Sequence, residues 1–267
     1  MPDTHAGSRM HVLDWIDGRS GDFTKSLNSL LAPSGAIVLP GMDMMPRGHG
    51  DPTEARLCRP CEPLLPRSTS LKLRAWWLAV DKPTANDPNW DLVTTAMYPG
   101  DRPGLVLVEA KAHVSELANE RFGKRVTSST NSLNHARIGE AISEARDGLS
   151  GTEAGVGISR DKCYQLSNRV AFAWKLASEG MPIVLIYLGF AGDDMIAGPE
   201  GLIRNGAHWR ELMRSHANGI IPDGLWGRRI TADSGELWLL EACLPVARPS
   251  ASLVDRRNGI RSRTGMR

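Results

Sequence analysis

Two spacings of apolar residues organise this chain. Leu133, Ala136, Ile138, Ala141, Ile142, Ala145 and Leu149 recur mostly at steps of three and four, the period of a helix with one buried face. Leu166, Val170, Ala173, Trp174 and Ala177 repeat the pattern, with Asp161 placed to cap the helix and Gly180-Met181-Pro182 to stop it. Residues 183–190 are instead apolar on both faces, as an interior strand covered by helices would be. Residues 71–80, dense in Leu, Trp and Val, read as a strand, and residues 90–98 and 105–112 as two more. Between the last two lies Pro99-Gly100-Asp101-Arg102-Pro103-Gly104, a strong turn sequence, which predicts an antiparallel hairpin.

The flanking regions are less regular. Residues 1–50 read as a weakly ordered lead-in, with a short helix within 15–31, a turn at Pro33-Ser34-Gly35 and a loop over 41–51. Thr53 or Asp51 is placed to cap a helix beginning at Glu54, which Pro60 and Pro63 limit. A loop over 81–89, a helix near 207–216 and a strand over 237–243 complete the pattern. The expected fold is α/β, a central mixed β-sheet flanked by helices. Its expected organisation is an N-terminal extension (1–50), a core (51–195), a helix/strand addition to the same domain (196–250) and a basic, disordered tail (251–267).

Composition narrows the class only a little. The 267 residues are 41% hydrophobic and 23% charged with a net charge of +2, ordinary for a globular protein and far from a polycation. The charge is uneven, because Arg256, Arg257, Arg261, Arg263 and Arg267 crowd a stretch that has no acid after Asp255. No apolar run approaches the roughly 20 residues of a spanning helix, and the first residues carry no signal-peptide core. No membrane association and a cytoplasmic location are therefore the default expectations. Cys58-x-x-Cys61 would be half of a zinc site, but no second pair follows, so reduced thiols are expected there.

The chemistry concentrates in the hairpin. Asp91 begins one strand, and Glu109-Ala110-Lys111 ends its partner. Side chains alternate along a strand, so Glu109 and Lys111 share a face. A turn centred in residues 99–104 sets Asp91 opposite Lys111 with Glu109 diagonal to it. Two carboxylates and an amine at one open hairpin end suit phosphodiester hydrolysis. Mg²⁺ prefers oxygen ligands and takes one or two carboxylates plus water and phosphate. Asp91, Glu109 and the carbonyl of Ala110 would supply them, and Lys111 would orient the attacking water and stabilise the transition state.

Asp91 followed by an apolar strand ending in Glu109-Ala110-Lys111 resembles the signature of the PD-(D/E)xK nuclease superfamily, the restriction-endonuclease-like fold. The resemblance covers about half of the chain. It implies a core ordered helix-strand-strand-strand-helix-strand and Mg²⁺-dependent cleavage of nucleic acid, most naturally DNA, with Mn²⁺ substituting. It also implies a glutamate on the first core helix, for which Glu54 stands first and Glu62 in reserve, and a glutamine on the helix after the lysine. The segment Tyr164-Gln165-Leu166-Ser167-Asn168-Arg169 resembles that helix, with Gln165 facing the site. One departure concerns the first motif, usually Pro-Asp: Trp90 precedes Asp91, and Pro88 lies three positions before it.

Other readings stand beside this one. The same fold can serve as a catalytically inactive module that binds nucleic acid or protein. In an unrelated α/β protein, Asp91 and Lys111 would be a cross-strand ion pair worth under about 1 kcal/mol. A homodimer is compatible with the sequence. His113 and His135, just past the motif, read as surface or phosphate-contact residues, and Lys124 and Arg125 as a solvated basic loop, with contact to backbone phosphates the alternative. Leu237-Trp-Leu-Leu-Glu-Ala-Cys243 repeats the apolar run and the Glu-Ala pair without the lysine, so Glu241 reads as an edge or surface residue.

Overall fold

The apolar runs at 105–110 and 183–190 become the centre of a six-stranded sheet. The computed structural model describes residues 7–61, 63–81, 87–124, 129–194 and 201–246. In order across the sheet, the strands are β1 (Met44–Met45), β4 (Leu92–Tyr98), β5 (Arg102–Lys111), β6 (Ile183–Ala191), β8 (Gly235–Pro245) and β7 (Arg229–Ala232). The pairs β1–β4, β4–β5 and β7–β8 are antiparallel, whereas β5–β6 and β6–β8 are parallel. A separate antiparallel pair joins β2 (Ala55–Arg56) to β3 (Asn89–Trp90). The expected mixed sheet flanked by helices is therefore present.

Alternation along β5 divides the core in two. Val106, Val108 and Ala110 face α1 (Ser8–Ile16) and α2 (Phe23–Leu31), packing with Val12, Trp15 and Leu27. Leu105 and Leu107 point the other way, toward α3 (Arg67–Trp77), α5 (Ser129–Ser150), α6 (Tyr164–Ser178) and α7 (Gly206–Ala217). Helix α6 is buried almost all round, from Leu166 to Ala177, as befits a helix enclosed by both sheet and helices. Close packing with α5 depends on Gly148, where a Cβ would stand 2.4 Å from the Trp174 ring. Among the described residues, no helix is long and apolar enough to cross a membrane.

Several elements differ from the sequence expectation. Residues 67–77 are a helix, not a strand, because the residues it buries are Ser70, Leu73, Trp76 and Trp77, which follow a helical period. Density of Leu and Trp was a poorer guide than their spacing. The lead-in supplies all of one helical layer through α1 and α2, and β1 joins the sheet. No helix starts at Glu54; the chain there is extended and enters β2. Helix α6 is preceded by Cys163 in a left-handed conformation (φ 45°), while the Asp161 carboxylate bonds Arg160 instead of capping. The short helix α4 (Val114–Glu120) and strand β7 had no forecast.

Candidate active site

The hairpin turn is tighter than the sequence suggested. Tyr98 pairs with Arg102, so only Pro99, Gly100 and Asp101 turn the chain, with φ of 81° at Gly100 and 56° at Asp101. Glycine adopts that left-handed region without cost. The register follows: Leu92 lies opposite Val108. One step further, Asp91 comes level with Glu109, not with Lys111, two residues from the expected alignment.

At this point the hairpin opens. Continued pairing would set Trp90 against Ala110, but Trp90 pairs with Ala55 in the second sheet. The vacated place is taken by a side chain: the Ala110 N–H donates to Asp91 Oδ2 at 2.7 Å. A residue's N–H and C=O share one edge of a strand, so the Ala110 carbonyl also looks toward the gap beside Asp91. The split thus sets a carboxylate and a carbonyl side by side at the end of β5.

Glu109 lies next to them in a buried ionic cluster. Its Oε1 accepts from Lys111 Nζ and from the Gln165 amide, and its Oε2 from Arg169 Nε at 2.6 Å. Arg169 also donates to the Asn89 carbonyl at 2.6 Å and lies over the Trp90 ring, 4.8 Å from its centroid. Gln165 and Arg169 sit four apart on α6, so both project toward β5. On its other side, Lys111 Nζ is 2.7 Å from Glu120 Oε1 at the end of α4, and Glu120 Oε2 is 3.2 Å from His216 Nε2 on α7.

The electrostatics separate the two carboxylates. Burial pushes the Glu109 carboxyl up, but Arg169 and Lys111 outweigh it and hold it below the usual carboxylate range. Asp91 has no such partner: burial, then the charge of Glu109, pushes its carboxyl up to about 7, despite the counter-pull of Lys111, the Ala110 N–H and Arg169. Burial alone would lower the Lys111 ammonium, yet Glu109, Glu120 and Asp91 hold it above its ordinary value, so it stays charged. Three carboxylates (Asp91, Glu109, Glu120) face two fixed cations (Lys111, Arg169). Asp91 is the carboxyl left without a cation of its own, and it ionises only as pH rises through about 7.

Asp91, Glu109, Ala110, Lys111 and Gln165 therefore lie together, and Glu54 does not join them. Its carboxylate pairs with Arg9 of α1 at 3.2 Å, from a loop rather than a helix. Helix α3, the helix preceding the hairpin, has no acidic residue in its first turn. Glu62, Arg125 and the arginines of the tail lie outside the described residues. His113 is buried rather than on the surface, with Nε2 3.4 Å from Asp193, which His11 also contacts at 2.6 Å. His135 bonds the Lys124 carbonyl at 2.9 Å. Cys58 and Cys61 are buried free thiols, and burial pushes the Cys58 thiol up, keeping it protonated.

Sequence reasoning missed Arg169, Glu120, His216 and Tyr187. A signal existed for Arg169, at helical spacing from Gln165. None existed for Glu120 and His216, which tertiary packing delivers. Tyr187 is fully buried on β6 beside Glu109, and its hydroxyl has no partner among the described residues. Comparison with known proteins adds no name: no family model, no curated protein and no solved structure matches this chain.

Proposed function

We propose that this chain is a metal-dependent nuclease of the PD-(D/E)xK kind that hydrolyses phosphodiester bonds of DNA with Mg²⁺, for which Mn²⁺ substitutes. The observation that carries the reading is the surplus carboxylate at the split hairpin: Asp91 beside Glu109 without a cation of its own, in a cluster that holds Lys111 charged. The strand path supports it too, since β1, β4 and β5 are antiparallel neighbours and β6 is parallel to β5.

The donor set fits a hard cation. Among the described residues, Asp91 Oδ1 has no hydrogen-bond partner, and Glu109 Oε2 has one, which leaves it a lone pair. Asp91, Glu109 and the Ala110 carbonyl would hold the ion, and two carboxylates are within what Mg²⁺ ordinarily takes. No group of three or more His, Cys, Asp or Glu side chains among the described residues is arranged for a metal, so water and phosphate oxygens would complete the shell. A divalent cation held there would lower the pKa of a bound water and neutralise charge on the phosphate. Lys111 donates one N–H to Glu109 and pairs with Glu120 Oε1 at 2.7 Å without a hydrogen bond between them. Its other N–H groups would serve a phosphate oxygen whose charge grows in the transition state. Gln165 and Arg169 fix the Glu109 carboxylate.

The three donors already held by Glu109, which leave one lone pair on Oε2, favour a second reading, a DNA-binding module of this architecture without catalysis. Incubating the protein with supercoiled plasmid, linear duplex and single-stranded DNA in Mg²⁺, Mn²⁺ or EDTA separates the two. A nuclease breaks strands with metal and not in EDTA. Retention of DNA without breaks in either metal selects the silent module.

A further inference from the structure

The chain on either side of the site forms a small basic ribbon that the catalytic reading does not use. Phe122 and Lys162 make an antiparallel bridge. The Cys163 N–H donates to the Arg121 carbonyl (3.3 Å), the Tyr164 N–H to that of Phe122 (3.3 Å) and the Lys124 N–H to that of Arg160 (2.9 Å). Each strand of the ribbon is continuous with a site residue. Arg121 follows Glu120, which contacts Lys111, and Tyr164 precedes Gln165, which contacts Glu109. The ribbon therefore stands at the rim of the cluster.

Its composition is unusual for a surface turn. Phe122 is 63% exposed, the most exposed of the large hydrophobic residues described. Around it are Arg121, Lys124, Arg160 and Lys162 against a single acid, Asp161, which bonds Arg160 at 3.0 Å. Arg121 and Lys162 are exposed and make no ion pair among the described residues. Lys124 Nζ lies over the Tyr164 ring, 4.9 Å from its centroid. An aromatic face open to water and flanked by unspent cations is the chemistry that holds single-stranded nucleic acid: bases stack on the ring, and cations follow the phosphates. A duplex keeps its base faces covered, so it offers the ring nothing to stack on.

We propose that this ribbon binds single-stranded DNA at the rim of the active site, with a base stacked on Phe122 and phosphates on Arg121 and Lys162. The proposal rests on the nuclease reading for the identity of the ligand and is tested apart from it, by binding in EDTA. The probe is a fluorescent 15-mer of thymidylate, with a duplex of equal length as the comparison. Stacking on an aromatic side chain is worth about 1–3 kcal/mol per base, so Phe122→Ala should weaken single-strand binding about tenfold. Duplex affinity should stay within about twofold, and Phe122→Trp should restore the single-strand affinity. Replacing Arg121 and Lys162 together by Ala should flatten the salt dependence by about 0.7 in log–log slope per lost contact. Wild-type single-strand affinity in Phe122→Ala, or equal losses on both probes, overturns the ribbon proposal, whether or not the protein cuts DNA. The expected losses in a protein that never cuts would support the ribbon and leave the nuclease reading as the one that failed.

Discussion

The ends of β5 and β8 carry the same Glu-Ala pair in the same row of the sheet. Glu109 and Glu241 both register with Tyr187 of β6, one on each side, and Lys111 and Cys243 both register with Gly189. Their surroundings differ. Glu109 is 2% exposed, bound by Lys111, Gln165 and Arg169, with Asp91 alongside. Glu241 lies where β8 has passed the end of β7, and it meets Arg214 at 2.9 Å and Arg210 at 3.5 Å, of which Arg210 is mostly exposed. A strand ending in Glu-Ala thus becomes a candidate site only when a neighbouring strand splits away beside it and a helix closes over it. At β5 both happen; at β8 helix α7 places Arg210 and Arg214 on Glu241, but no strand splits away beside it.

The largest contrast should appear in stability on removing the arginine from each glutamate. Arg169→Ala leaves Glu109 buried with half of its compensation gone, a change that typically costs 3–5 kcal/mol, roughly. Arg214→Ala, on a partly solvated pair, should cost under about 1 kcal/mol. Denaturant midpoints for the two variants would break the comparison if they fell together.

Next comes the lysine that β8 lacks. Lys111→Ala should lower kcat by about 10²–10³, the usual cost of one group that stabilises transition-state charge. Added Mn²⁺ should not restore it, since Lys is no ligand. Cys243→Lys completes Glu-Ala-Lys on β8 and should change neither cleavage nor metal response, because no Asp91 equivalent stands beside it.

The pH dependence sharpens the comparison further. Asp91 is raised to about 7 in the folded chain, against about 3.9 when unfolded. Between these values the folded chain holds a proton that the unfolded chain has released, so this group makes stability fall as pH rises through the window. Asp91→Asn should remove that fall, visible as melting temperatures at pH 5 and 8 that converge. In wild type, Mg²⁺ should stabilise most above pH 7, where Asp91 is ionised. Glu241→Gln should leave the stabilisation by Mg²⁺ within experimental scatter, because no Asp91 equivalent stands beside it, the smallest effect of the set.

Much of this was readable in the chain, and the rest failed for physical reasons. The hairpin, β6 and α6 were legible because their apolar positions follow one period over many residues. The register was off by two because Pro-Gly-rich sequence marks a turn without fixing its centre, and Gly100 and Asp101 alone take the left-handed conformations. Residues 71–80 were misread as a strand because two adjacent tryptophans mimic one unless Ser70 and Leu73 are counted with them. That error displaced the first core helix and with it Glu54. Arg169 was visible but unassigned. Glu120, His216 and Tyr187 arrive from three different elements, and only tertiary packing brings them to Lys111 and Glu109.

The central claim is that Asp91, and not merely the Glu-Ala strand end, makes a catalytic site. Plasmid cleavage in Mg²⁺ by wild type, Asp91→Asn and Glu241→Gln tests it most directly. Asn keeps an oxygen for the Ala110 N–H, so the hairpin end should hold its shape while losing the charge. The account predicts cleavage by wild type and Glu241→Gln at the same rate, and a loss of about 10²-fold or more in Asp91→Asn. An Asp91→Asn protein that cuts as fast as wild type would contradict it.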